Sequence, residues 1–131
     1  LEEVDQVVIA CGGGGIPVLA QENRLKGASA VIEKDLAAGK LAEAVDADML
    51  VILTGVEKVC LEYGTASEQP IDHMTTAQAK KYMEEGQFGE GTMKPKVEAA
   101  LNFIGNLAVK SVLITKLGSG PDLEDGTVIK K

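Results

Sequence analysis

Apolar residues along the chain fall into short runs that end at glycine or at a charged residue. Val4 to Cys11 is one such run, rich in β-branched residues and followed at once by glycines, and it predicts a buried strand. The run from Met49 to Thr54 lies between Asp48 and Gly55 and is typical of a central parallel strand covered on both faces. Three further segments are predicted to be extended: Val59 to Tyr63, as a strand or hairpin, Ser111 to Thr115, and Thr127 to Ile129.

Other segments show the spacing of helices. Apolar residues at i, i+4, i+7 and i+8 predict a helix from Asp35 to Val45, with Asp35 placed to cap its first turn. Thr75 followed three residues later by Gln78 is a capping-box pattern, which predicts a helix that Gly86 ends.

A third helix is predicted from Thr92 onward, with Thr92 as its cap and Pro95 in its first turn. Its apolar stripe comprises Val97, Ala100, Leu101 and Ile104. The residues from Gly12 to Gly27 are expected to form a loop. Strands that alternate with helices predict an α/β fold in which helices sandwich a mainly parallel sheet.

Four consecutive glycines, Gly12, Gly13, Gly14 and Gly15, follow the first predicted strand. Backbone N–H groups without a neighbouring Cβ can converge on an anion, and ligands of α/β sheets usually bind at strand ends. The run matches neither the dinucleotide-binding pattern nor the Walker pattern, because Pro17 interrupts the first and no correctly spaced Gly precedes Gly39-Lys40 for the second. The run therefore indicates either a phosphate or carboxylate site or a tight turn with positive φ angles.

Three charged residues are candidates for the chemistry. Lys34 and Asp35 form a charged pair between apolar residues, although an Asp at a helix start is often only a cap. Lys96 lies in the first turn of a predicted helix, where free N–H groups create a positive potential. It is either an exposed lysine or part of an anion site, and two lysines facing one phosphate would be chemically meaningful.

Composition excludes several classes of protein. The 131 residues fit one domain, and a net charge of −7 with two Tyr and two Phe disfavours a nucleic-acid partner. Two Cys and one His argue against a disulfide framework and a zinc site, so a reducing cytoplasm is the expected location. The longest apolar run, Met49 to Leu53, is far shorter than the roughly 20 residues of a membrane helix. We therefore expect no membrane partner.

Several motifs taken together resemble carbamate kinase, of the amino acid kinase superfamily. They are "VVIACGGGGIPV", "RLKGASAVIEKDLAAGKLAEAVDADMLVILTGVEKVCLEYGT", "KYMEEGQFGEGTMKPKVEAALNFI" and the closing "GTVI". The resemblance spans almost the whole chain, and its order and spacing are specific. It implies a three-layer αβα fold of which residues 1–131 form the carboxy-terminal, nucleotide-binding part.

The family transfers a phosphoryl group reversibly between ATP and carbamate, a carboxyl-type acceptor, with Mg²⁺ and as a homodimer, commonly forming ATP during arginine catabolism. The resemblance implies that Lys34 and Lys96 contact the transferring phosphoryl group and the nucleotide phosphates. It implies that Asp35 orients these lysines and helps to organise the metal-bound nucleotide, with no metal ligand assigned. Gly12 to Gly15 would lie beside carbamate and the transferred phosphoryl group, and the adenine nucleotide would contact Thr54, Gly55, Val56, Tyr63 and Met93.

The chain departs from the family in two respects. Members of the family are much longer, and their amino-terminal half, with a first phosphate loop and another catalytic lysine, has no counterpart here. The tail "ITKLGSGPDLEDGTVI" is also shorter than usual. Two alternatives stay open: another amino acid kinase, acting on acetylglutamate, glutamate or UMP, and a nonenzymatic module that binds nucleotide or serves assembly.

Overall fold

The computed structural model describes residues 7–105, 109–118 and 125–131. In chain order the elements are β1 (Val18–Gln21), β2 (Arg24–Gly27), α1 (Lys34–Ala44), β3 (Met49–Thr54), β4 (Val59–Leu61), β5 (Gln69–Ile71), β6 (His73–Thr75), α2 (Thr76–Glu84), α3 (Met93–Ile104), β7 (Ser111–Lys116) and β8 (Thr127–Lys130). The predicted helices and the predicted strands from Met49 onward are confirmed. Strands β5 and β6, each only three residues long, carry too little pattern to be predicted.

Four strands form the main sheet, in the order β3-β7-β8-β6. β3 pairs with β7 and β6 with β8 in parallel, whereas β7 and β8 are antiparallel. The α/β class and the mainly parallel sheet are therefore confirmed. The described residues contain this sheet and a layer of helices that pack against one another and against its strands.

The core lies between the sheet and the helices. Alternate positions of β3, β7 and β8 point toward α1 and α3, since side chains of a strand alternate between its two faces. The buried side chains that meet there include Leu50, Ile52, Val112, Ile114 and Ile129 from the sheet and Val97, Ala100, Phe103 and Ile104 from α3. The apolar stripe predicted for α3 is thus the surface that faces the sheet.

β3 differs from its predicted position. Among the described strands it lies at the edge of the four-stranded sheet, with β7 as its partner, so the prediction of a central strand is wrong over these residues. Met49 and Leu53 lie on the opposite side of the strand from the core and are half exposed. A continuous apolar run predicts coverage on both faces, but within the described residues only one face of β3 is packed by helices.

The amino-terminal predictions are wrong over the residues that can be compared. Residues 4–6 of the predicted first strand lie outside the described residues, and residues 7–11 are not a strand. Val7 and Ile9 are both 97% exposed. A β-branched run forms a strand only where a neighbouring strand pairs with its backbone, and no described strand pairs with this one. The predicted loop of residues 12–27 instead contains the antiparallel hairpin β1–β2, which turns at Glu22 with a φ of +50°.

The start of α1 also corrects a prediction. Glu33, not Asp35, is the cap, and its carboxylate accepts the backbone N–H of Asp35 at 3.3 Å. This backbone hydrogen bond, aided by Lys34, lowers the pKa of Glu33 below its ordinary value. The carboxylate of Asp35 is therefore available for another partner.

The other two helix starts follow their predictions more closely. Thr75 and Gln78 form the full capping box of α2, with N–H to side-chain oxygen distances of 3.2 Å and 2.8 Å. Thr92 occupies the cap position of α3, but its hydroxyl donates backward to the carbonyl of Gly89 and makes no capping bond.

Gly39 sets the distance between α1 and α3. A Cβ at this position would lie 3.3 Å from the carbonyl oxygen of Ala99 and 3.5 Å from the Cβ of Ala99. The same residue that weakens α1 as an isolated helix therefore allows it to lie directly against α3.

We expect Gly39→Val to lower the free energy of unfolding by about 1–3 kcal/mol, because a branched side chain overpacks this contact. Urea denaturation measures the change. Lys40→Ala, on the exposed side of the same turn, is the control and should change stability by about 0.5 kcal/mol at most. Equal midpoints for Gly39→Val and the unmodified chain would show that the two helices tolerate separation.

An ion pair joins Asp46, in the turn after α1, to Lys110, the residue before β7. Lys110 Nζ donates to Asp46 Oδ1 at 2.8 Å and lies 5.0 Å from the ring centroid of Phe103. The Lys110 side chain is buried, whereas Asp46 is largely exposed. The hydrogen bond from Lys110 and its charge hold the pKa of Asp46 below the ordinary 3.8.

We expect Asp46→Asn to destabilise the chain most at neutral pH. A lowered folded-state pKa stabilises the protein above the unfolded pKa, and this contribution is lost as the pH falls through the folded pKa. The stability difference from the unmodified chain should therefore shrink as the pH drops below 3.8. Urea titrations from pH 7 downward test this, and a difference independent of pH would contradict it.

Candidate functional site

Two lysines converge on one carboxylate where α1 meets α3. Lys96, in the first turn of α3, donates from Nζ to Asp35 Oδ2 at 2.8 Å, and both side chains are only 11% exposed. Lys34 Nζ lies 3.8 Å from the same oxygen and 3.3 Å from Glu33 Oε1. Lys34 is 60% exposed, so its ammonium group is open to solvent while it remains a neighbour of Lys96.

The electrostatics of this cluster favour an anion. Asp35 and Lys34 lie in the first turn of α1, and Lys96 lies in the first turn of α3, so two helix N-termini add positive potential. Removing one partner of a buried ion pair leaves the other charge uncompensated, which is strongly destabilising. Asp35 therefore holds Lys96 in place, while Lys34 lies near both Asp35 and Glu33. The two cations are thus balanced by two carboxylates, and the positive potential comes from the helix N-termini.

A cavity of about 450 Å³ opens beside Lys96. It lies at the carboxyl end of β3, where ligands of α/β sheets usually bind. All five residues predicted to contact a nucleotide line it, together with Lys96: Thr54, Gly55, Val56, Tyr63 and Met93. Residues from the loop after β3 and from the start of α3 are thus brought to one hollow.

The sequence analysis missed other residues of this cavity. Lys58, Cys60, Gln87 and Phe88 also line it. Lys58 forms an ion pair with Asp72, which raises the pKa of Lys58 and lowers that of Asp72, in both cases through the hydrogen bond first and the opposite charge second. Lys58 and Asp72 lie at the open end of the β4–β5 hairpin, one just before β4 and the other just after β5. Because β5 was not predicted from the sequence, no local pattern indicated this ion pair.

Cys60 contributes a thiol to the cavity wall. It is half-buried at the cavity wall, and its Sγ lies 3.6 Å from the carbonyl oxygen of Lys58. Burial, followed by the negative charge of Glu68, raises the pKa of the Cys60 thiol above 9.0. At neutral pH this side chain is accordingly a neutral, polarisable part of the wall.

The glycine run lies in a second hollow, which is formed with residues 30–32 and whose lining shares no residue with the first. Gly12, Gly14 and Gly15 have positive φ angles, and a Cβ on Gly14 would lie 2.5 Å from the carbonyl oxygen of Ile32. The N–H groups of Gly12 and Gly14 donate to the carbonyls of Ala10 and Cys11. Two of the four glycine N–H groups thus form hydrogen bonds within the turn itself. At Gly14 the close approach to Ile32 leaves no room for a Cβ, so glycine is required there on steric grounds.

The residues that the structure describes offer neither a metal cage nor a membrane-spanning helix. They contain no group of three or more His, Cys, Asp or Glu side chains placed to hold a metal ion. None of their helices combines the length and apolar character that a bilayer crossing requires.

Comparison with known proteins identifies the family. Residues 1–116 match the model of the amino acid kinase family. Carbamate kinase-like protein YqeA of Escherichia coli is 50% identical over 98% of this chain and 43% of its own length. Carbamate kinase 1 of Enterococcus faecium is 48% identical over 97% of this chain and 42% of its own length. The chain therefore spans less than half the length of these relatives.

Solved structures agree with the sequence relatives. The structure of carbamate kinase from Giardia lamblia bound to AMP-PNP superposes on this chain with a TM-score of 0.84 and 35% identity. The superposition covers 91% of this chain and 38% of the Giardia chain. The relatives named here are two carbamate kinases and a carbamate kinase-like protein, and the chain belongs to the amino acid kinase family.

Proposed function

We propose that this chain is the carboxy-terminal, nucleotide-binding part of a carbamate kinase, which catalyses ATP + carbamate ⇌ ADP + carbamoyl phosphate. The observation that carries the proposal is the convergence of Lys34 and Lys96 on Asp35 beside a cavity of nucleotide size. The similarity to carbamate kinases, one of them bound to AMP-PNP, supports the same activity.

The chemistry of the reaction suits these residues. A carbamate oxygen is already anionic, so it needs no general base to attack phosphorus. Phosphoryl transfer then requires alignment of the reactants and neutralisation of charge on the equatorial oxygens. In this proposal Lys96 and Lys34 supply that charge, and Asp35 keeps Lys96 oriented toward the transferring group.

The two hollows are assigned to different reactants. The adenine nucleotide occupies the cavity lined by Thr54, Gly55, Val56, Tyr63 and Met93, with its phosphates toward Lys96. Carbamate lies beside Gly12 to Gly15, where exposed backbone leaves room for a small anion.

Mg²⁺ fits this donor set as a companion of the nucleotide. Mg²⁺ in kinases is commonly held by substrate phosphates, waters and one or two carboxylates, so a three-residue protein cage is not required. Asp35 and Glu33 are the carboxylates at the cluster, and Asp35, next to Lys96, is the one that would face the hydrated ion. When bound, the metal neutralises charge on the nucleotide phosphates.

The proposal also includes the whole protein. An amino-terminal part, supplying further phosphate contacts, would pair with the open edge of β3 and cover Met49 and Leu53. We further propose a cytoplasmic homodimer that forms ATP in arginine catabolism.

Lys96→Ala should lower kcat of the complete kinase by roughly 100-fold to 1,000-fold, the loss seen when one donor to a developing charge is removed. Lys94→Ala is a matched control, because Lys94 lies on the same helix turn and pairs with the exposed Glu90. The coupled assay of ATP formation from carbamoyl phosphate measures both variants. Near-normal turnover of Lys96→Ala would remove Lys96 from the mechanism.

The isolated 131-residue chain should bind MgADP, since the cavity is formed by its own residues, yet should not form ATP from carbamoyl phosphate. Calorimetric titration measures binding, and a luminescence assay for ATP measures turnover. Turnover by this chain would show that it needs no further part. Absence of heat with MgADP would instead contradict the nucleotide assignment of the cavity.

A further inference from the structure

One fully buried hydroxyl joins the β4–β5 hairpin to the main sheet. Thr127 Oγ1 accepts the N–H of Val59 at 2.8 Å and donates to the carbonyl of Ile71 at 2.6 Å. Val59 and Ile71 are opposite each other in the hairpin, and both Thr127 and Val59 are fully buried. The hydroxyl therefore does what a neighbouring strand would do, satisfying one backbone donor and one backbone acceptor.

The strand that carries this hydroxyl is itself tightly placed. A Cβ on Gly126 would lie 2.7 Å from the carbonyl oxygen of Ile114 and 2.8 Å from the Cβ of Thr115, so only glycine fits against β7 here. On the other side, the N–H of Val128 donates to the carbonyl of Asp72 at 2.9 Å. The Gly-Thr pair at the start of β8 is thus fixed relative to both β7 and the end of the hairpin.

The hairpin in turn carries part of the nucleotide cavity. Lys58 and Cys60 flank Val59 and line the cavity, and Lys58 is paired with Asp72, which follows Ile71 directly. The N–H of Val59 therefore lies between two residues of the wall, and the carbonyl of Ile71 is next to the ion-pair partner of Lys58. We propose that Thr127 is a positioning residue, which acts through β4 to hold Lys58 and Cys60 against a bound adenine nucleotide. This inference rests on the nucleotide assignment made above for the cavity.

Thr127→Val tests the link, because it keeps the shape of the side chain but leaves the N–H of Val59 and the carbonyl of Ile71 unpaired. Amide hydrogen exchange of Val59 should become about tenfold faster or more relative to the amides of β7. Thr127→Ser, which retains the hydroxyl, should restore slow exchange. Ile129→Val, which removes one buried methylene from the same strand, should leave the ratio unchanged.

The same variants are titrated calorimetrically with MgADP. The dissociation constant should rise about fivefold or more for Thr127→Val, from the loss of a buried hydrogen bond, and should stay near that of the unmodified chain for Thr127→Ser and Ile129→Val. If Thr127→Val made the Val59 amide exchange faster but left the affinity for MgADP unchanged, Thr127 would be only a structural residue and the proposal would be overturned. Unchanged exchange of Val59 in this variant would overturn it as well.

Two measurements on the unmodified chain keep the inference separate from the proposed function and from the folding of the valine variant. The Val59 amide should exchange as slowly as the amides of β7, and MgADP should slow it further. Fast exchange of Val59 without nucleotide overturns the role of Thr127 even if MgADP binds. Slow exchange together with no binding of MgADP overturns the nucleotide assignment while leaving the hydroxyl link supported.

Discussion

The buried ion pair between Asp35 and Lys96 is the constraint on which the site depends. Removing two opposite charges from water is costly, so the pair is tolerable only because the ammonium and the carboxylate oxygen meet at 2.8 Å. That distance requires α1 and α3 to lie in contact, and Gly39 is the residue that lets their backbones approach. The close packing of α1 against α3 is therefore a condition for the Asp35–Lys96 pair to form.

The topology of the sheet then places a ligand cavity beside this pair. β3 leads directly into Thr54, Gly55 and Val56, while α3 begins with Met93 and reaches Lys96 within one turn. A strand end and a helix N-terminus contribute different properties: the first contributes backbone and small side chains, and the second contributes positive potential. An anion with an apolar, planar portion matches that combination.

Local signals predicted the elements whose partners are close in sequence. The capping box of Thr75 and Gln78 spans four residues, and the apolar stripe of α3 is internal to that helix, so both could be derived without knowing the fold. The cap of α1 could not, because Glu33 and Asp35 are both acidic. The structure assigns Asp35 to Lys96, which is 61 positions away.

Tertiary context also decides the strand predictions that are wrong. An apolar, β-branched run such as residues 7–11 is compatible with a central strand, but it needs hydrogen-bonding neighbours, which the described strands do not provide. The predicted nucleotide contacts line one cavity with Lys96, whereas the glycine run lines a separate hollow, and the roles of these residues stay predictions. Lys58 escaped prediction because its contact with Asp72 depends on a hairpin of two three-residue strands.

β3 connects the packed and the open parts of the molecule. Its inner face, with Leu50 and Ile52, is buried against the helices, while Met49 and Leu53 on its outer face are half exposed. The carboxyl end of this strand continues into the cavity loop. A strand that paired with the edge of β3 that is open among the described residues would therefore order the backbone that leads into the cavity loop.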